Sequence, residues 1–271
     1  IFGVPEGLNH YYDRYDYAIT ANDPLWKVFH WKSSEILPPD VIDSAKRILS
    51  PRQFRQEYEA SFESAEGKIY EDYSHENSTQ QQIELHEQLM WHHDFNFTPM
   101  SSGIAVLRGN SIYILDEIIL SSATSRQSAI EFCERYKNHQ NKHVIIYGDP
   151  AGRAGEKHGH ASDYTEMENY LRNNGWKLTR KVKSAAPSIK DRQNAVRAKI
   201  LNAVGERRLF VNPTKCPYAH KGLATVQFKK VSTFLAEDSD YQHITTAIGY
   251  MIDYEFPINS GLSQLKLGGS I

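Results

Sequence analysis

Cysteine is nearly missing from this chain: Cys133 and Cys216 are the only two in 271 residues. Two thiols make neither a disulfide framework nor a zinc cluster, which fits a reducing compartment. Long apolar runs are missing as well. None approaches the roughly 18 residues of a membrane span, and the start, IFGVPEGLNHYYDRYDY, has no basic region followed by an apolar stretch, so nothing points to secretion. There are no internal repeats and no low-complexity tracts. No GxxxxGK followed by Ser or Thr occurs, so the chain is not expected to hydrolyse ATP by itself. Net charge is close to absent too; at −2 there is no overall nucleic-acid signature, and any DNA-binding surface must be local. A start on Ile1 rather than Met leads us to expect a piece of a longer protein.

What is present suffices for a core: 40% of residues are hydrophobic and 24% charged, as in ordinary soluble proteins. Residues 1–80 read as polar, Tyr-rich and mostly helical or irregular. Within them, Pro38-Pro39 precede DVIDSAKRILS, whose Val41, Ala45, Ile48 and Leu49 recur at helical spacing, and a second helix follows in PRQFRQEYEASF. EDYSHENSTQQQ has no apolar core positions and reads as a linker. Three strands are then expected, one ending at Asp94, then IAVLRG and IYILDEIIL, with Gly109-Asn110 forming a tight hairpin between the last two. Helices near 125–140 and 163–174 alternate with the strands HVIIYGD and WKLTRKV. A long helix through IKDRQNAVRAKILNAV, a short strand RLFVNP and a helix through HITTAIGYMIDY complete the order. The fold class is therefore α/β: a mixed sheet made of an antiparallel three-strand meander plus parallel strands, flanked by helices.

Two aspartates stand out. Asp94 and Asp149 each end a strand, and a carboxylate where a strand leaves a sheet lies on the rim where open α/β sheets carry their chemistry. The helix at 125–140 is a crossover, and right-handed connection rules let it lay the strand before Asp149 parallel to the strand ending at Asp94. Two close carboxylates repel unless a cation compensates, and oxygen ligands favour magnesium or manganese over zinc. The pair points to a metal-dependent phosphodiester hydrolase with a two-metal site.

From Lys177 to Arg208 the chain carries ten cations against Asp191 and Glu206, an imbalance able to neutralise several phosphates. The competing reading is a solvated helix face. Lys181, Lys183, Lys190, Arg192 and Arg197 are the DNA-contact candidates in the run, and Arg153 is the candidate in the Gly-rich loop after Asp149. That loop also holds His158 and His160, most simply explained as surface residues. His92 and His93 precede Asp94 on a strand, so they point to opposite faces and at most one serves the site. Cys133 is expected in the core.

Six segments in order resemble the C-terminal nuclease domain, of RNase H-like fold, of the large subunit of viral DNA-packaging terminases from tailed phages and prophages. They are FGVPEGLNHYYDRY, ILSPRQFRQEYEASFESAEGKIYEDY, DFNFTPM, YGDPAG, SIKDRQNAVRAKILN with RLFVNPTKC, and HITTAIGYMIDY. The resemblance implies that residues 1–60 are the mostly helical tail of an ATPase domain and its linker, and 61–271 the nuclease domain. It implies an endonuclease cutting double-stranded concatemeric DNA with magnesium or manganese. Implied partners are duplex DNA, the small terminase subunit, the portal protein and the ATPase domain of the same polypeptide, all in the host cytoplasm. Asp94 and Asp149 match the family's first and second metal-binding aspartates. The third position holds Thr246, so His243, one turn earlier, and Asp240, near the helix start, are the expected substitutes, with N-capping the other reading of Asp240. Glu117 is a further metal candidate; a solvent-facing strand residue is its alternative. A catalytically weak module that grips DNA and docks the motor on the portal, or another RNase H-like nuclease such as a junction resolvase, are the rival functions.

Overall fold

The computed structural model describes residues 3–5, 10–21, 23–63, 67–95, 99–153, 162–230, 232 and 234–258. Helices α1 (His10–Thr20), α2 (Pro39–Ile48) and α3 (Pro51–Tyr58) precede strands β1 (Leu89–Asp94), β2 (Met100–Arg108) and β3 (Ser111–Leu120). Then follow α4 (Ser125–Arg135), β4 (His143–Gly148), α5 (Asp163–Asn173), β5 (Lys177–Arg180), α6 (Ile189–Ile200), β6 (Leu209–Val211), α7 (Pro217–Thr225) and α8 (Asp240–Glu255).

The six strands form one sheet in the order β5-β4-β1-β2-β3-β6. β1, β2 and β3 are the antiparallel meander, and β4 runs parallel to β1, as the crossover through α4 requires. β5 continues the parallel side beyond β4, and β6 lies parallel to β3. Every residue of the central strand β1 is buried, the pattern of a strand covered on both faces. Met90 joins the apolar layer beneath α6, α7 and α8, while Leu89 and Trp91 join the layer beneath α4 and α5. Gly109 turns the β2–β3 hairpin at φ +61°, a conformation that costs a side-chain-bearing residue energy.

Local chemistry sets the helix starts. Ser50, Thr124, Ser162 and Ser188 each accept a backbone N–H three residues on, capping α3, α4, α5 and α6. Two helices end sooner than their apolar patterns suggest: α4 at Arg135, and α6 at Ile200, where Leu201 turns to extended backbone.

The segment read as a linker, 71–82, is instead tied to the body. Tyr73 is in the core, and Asn77, fully buried, donates to the Ile200 and Leu209 carbonyls at 3.1 and 2.9 Å. Ser78 bridges to Val211. Polar residues replace apolar ones here because the segment satisfies the backbone of a sheet edge. α7 has no counterpart in the sequence reading; Pro217 at its first position and Gly222 inside it mask the helical pattern, and a Cβ at Gly222 would meet the Tyr241 carbonyl at 2.8 Å. α2 and α3 share a small core of Ile42, Ala45, Leu49 and Phe54, against which Ala203 and Ile258 pack. The Ala203 amide donates to the Lys46 and Leu49 carbonyls, so these helices are fastened to the α6–β6 connection.

Candidate active site

Parallel pairing of β1 with β4 puts His93 opposite Gly148, so Asp94 and Asp149 leave the sheet side by side. Helix α8 crosses the same rim, packing on β1, β2 and β4. His243, Thr246, Tyr250 and Asp253 recur at spacings of three and four residues and so share the face of α8 turned to the rim.

Each rim carboxylate is held in place. Asp94 is nearly buried and its Oδ2 lies 3.1 Å from His243 Nδ1. That hydrogen bond raises the His243 pKa against the opposing effect of burial, with Asp94, Asp240 and Asp238 adding negative charge. Asp149 Oδ1 accepts the Ala151 amide at 2.8 Å and its backbone carbonyl accepts the Tyr164 hydroxyl at 2.9 Å, while the Tyr250 phenol feels the charge of both Asp149 and Asp94. Burial is the main cause of the raised pKa of Tyr250, which therefore stays a donor at neutral pH. The Arg192 guanidinium lies 4.4 Å from the Tyr250 ring centre, an approach possible because Gly249 has no Cβ; one would stand 2.5 Å from Arg192 Cγ.

Among the expected metal ligands, Asp94 is hydrogen-bonded to His243, and Asp149 leaves the neighbouring strand on the same rim. Thr246 is on the same face of α8, half-buried. Asp240 is exposed at the first position of α8, where it acts on His243 by charge. Glu117 is a correction. Its two carboxylate oxygens accept the Tyr218 and Ala219 amides at 2.8 and 2.9 Å, so it anchors the start of α7, and burial lifts its pKa to about 7. His92 and His93 also fall away from the site: both are fully buried, with neither ring nitrogen of either one hydrogen-bonded. Burial holds them neutral, His92 at about 3. Asp94 and Asp149 offer the hard oxygen pair that suits magnesium, which is commonly held by one or two carboxylates and completed by water and substrate phosphate. They are not a closed protein cage: among the described residues no group of three or more His, Cys, Asp or Glu side chains could hold a metal ion.

The basic run is largely spent inside the molecule. Arg180 pairs with Glu168, Lys181 with Glu255, Arg207 with Glu76 and Arg208 with Glu206. Lys183 reaches the buried Asp253 at 2.5 Å. Arg197 is a second correction: it is buried, donating to the Ile69 carbonyl and to Asn194, and serves the interior rather than a surface. Arg153 Nη2 donates to the Val182 carbonyl, which fixes its position without neutralising its charge. His158 and His160 lie outside the described residues. Sequence reasoning missed Tyr250 and Asp253, whose signal was the seven- and ten-residue spacing from His243 along one helix. Tyr164 gave no such signal, since only packing brings it to the rim.

No protein-family model matches the sequence, and comparison with curated proteins gives no match. Solved structures do match. The large terminase of the thermophilic bacteriophage D6E superposes with a TM-score of 0.63 at 15% identity, over 92% of this chain and 61% of that chain. The fold is terminase-like. The P22 large terminase nuclease domain superposes with a TM-score of 0.50 at 15% identity, covering 70% of this chain and 94% of its own. The chain spans about three fifths of the D6E terminase's length. The likeness is one of fold: a mixed six-stranded sheet flanked by helices, the class expected from the sequence.

Proposed function

We propose that this chain contains the nuclease of a phage large terminase, a divalent-metal-dependent endonuclease that cuts double-stranded concatemeric DNA during genome packaging. The observation that carries the reading is the juxtaposition of Asp94 and Asp149 at the carboxyl ends of parallel neighbours β1 and β4, under α8. Asp94 and Asp149 would hold magnesium or manganese, which when bound would neutralise charge at the scissile phosphate and polarise the attacking water. The chain's own residues prepare the place. His243 orients Asp94, while the Ala151 amide orients Asp149. Arg153, Lys190 and Arg192 are the cations we assign to the DNA backbone; phosphate contacts carry no base information, so sequence preference is weak.

Residues 1–60 are assigned to the end of an ATPase domain and its linker, and 61–271 to the nuclease. The D6E large terminase, solved with ATP-gamma-S, supports an ATPase domain on the same polypeptide. The small subunit, the portal and the host cytoplasm complete the proposed setting. Thr246 favours one second reading: with no third carboxylate joining Asp94 and Asp149 in a metal-holding group among the described residues, the domain would be a weak nuclease that chiefly grips DNA.

Supercoiled plasmid decides between them. Nicking and linearisation in magnesium or manganese, stopped by EDTA and lost in Asp94→Asn, are expected of the nuclease. Retardation of DNA with no cleavage in either metal would establish the gripping module instead.

A further inference from the structure

Tyr164 stands in the first turn of α5, on the sheet face opposite α8, and is fully buried. Both rim turns meet on it. Phe95, the residue after Asp94, lies edge-on to its ring at 4.7 Å. Its hydroxyl donates to the Asp149 carbonyl at 2.9 Å, an oxygen that also accepts the Gly152 amide at 3.1 Å. Two glycines let this joint close. A Cβ on Gly148 would stand 2.7 Å from the Tyr164 hydroxyl, and one on Gly152 would stand 2.7 Å from Phe95 and 2.8 Å from the Tyr164 ring. Arg180 lies over the same ring at 5.2 Å and is itself paired with Glu168 of α5, so the phenol cannot readily swing away. A buried phenol normally finds a polar partner, and here that partner is the backbone of the residue bearing the second carboxylate.

We propose that Tyr164 is a positioning residue that sets the separation of Asp94 and Asp149, by packing on the turn after β1 and hydrogen-bonding the turn after β4. The inference rests on reading these two aspartates as the metal-holding pair. A two-carboxylate site has no spare protein ligand to absorb an error, so its ion affinity depends on how firmly the two turns are joined.

Tyr164→Phe keeps the ring and deletes only the hydroxyl. Tyr136→Phe is its control, since Tyr136 is also buried and donates to Asp116 at 2.9 Å, two strands away from β1. Manganese affinity measured calorimetrically without DNA should weaken about tenfold in Tyr164→Phe and stay at the wild-type value in Tyr136→Phe. Hydrogen exchange at the Gly152 amide should quicken in the first variant alone, while both unfold at similarly lowered temperatures. Unchanged manganese affinity in Tyr164→Phe, or equal weakening in Tyr136→Phe, overturns the proposal alone. Wild-type protein that binds no manganese overturns the metal reading of the rim and the proposal with it.

Discussion

Asp94 and His243 form a pair whose charge depends on pH. Because the hydrogen bond to Asp94 raises the His243 pKa in the folded protein, the stability it contributes is complete below the unfolded value of 6.5 and is lost as pH rises through the raised value. In metal-free protein the unfolding midpoint should therefore fall as pH rises from 6.5 through the raised value, and His243→Asn should flatten that fall. His92 and His93 work in the opposite sense. Buried and neutral, they favour the folded state less as pH drops below 6.5, because the unfolded chain takes up protons that the folded one refuses until about pH 3 for His92. Acid unfolding should set in well above pH 3 in both wild type and His243→Asn. At the rim, Asp149→Asn should lower plasmid cleavage by at least about 100-fold, a larger loss than removal of an outer hydrogen bond to a metal ligand.

At the scale of elements, two polar side chains hold pieces that periodicity alone would leave loose. Asn77 donates to carbonyls of α6 and β6 and accepts from Arg207, so Asn77→Ala removes the Leu209 carbonyl's side-chain donor and leaves the Ile200 carbonyl with only Arg207 at 3.4 Å. The expected cost is about 2–4 kcal/mol, read as a lowered urea midpoint. Glu117 holds α7 by two amides, and Glu117→Ala should cost about 1–2 kcal/mol while leaving manganese affinity unchanged. Loss of manganese binding in that variant would return Glu117 to the metal site.

The whole molecule bears on DNA binding through its charge pattern. Of the ten cations between Lys177 and Arg208, Arg180, Lys181, Lys183, Arg197, Arg207 and Arg208 are engaged by carboxylates or by the interior. Retardation of duplex DNA should thus show a salt dependence equivalent to about five phosphates or fewer, where full use of the run would give about ten. A slope near the larger figure would mean that these ion pairs open on DNA.

The sequence by itself determined the strands, most helices and the two aspartates at strand ends. Those features are written in neighbouring residues: LMWHH before Asp94, HVIIYG before Asp149, and a Ser or Thr ahead of four helices. The crossover rule then sufficed to set β4 beside β1. Only the tertiary structure decided which charges face outward, because a side chain's partner can lie anywhere in the chain. Glu117 finds its amides about 100 residues away, and Lys183 finds Asp253 70 residues away. Arg197 looks like its basic neighbours until α6 is packed and its guanidinium meets the Ile69 carbonyl. Tyr164 likewise matters only once the turns after Asp94 and Asp149 close on it, since no local pattern distinguishes a phenol in the core from one that joins two ends of a site.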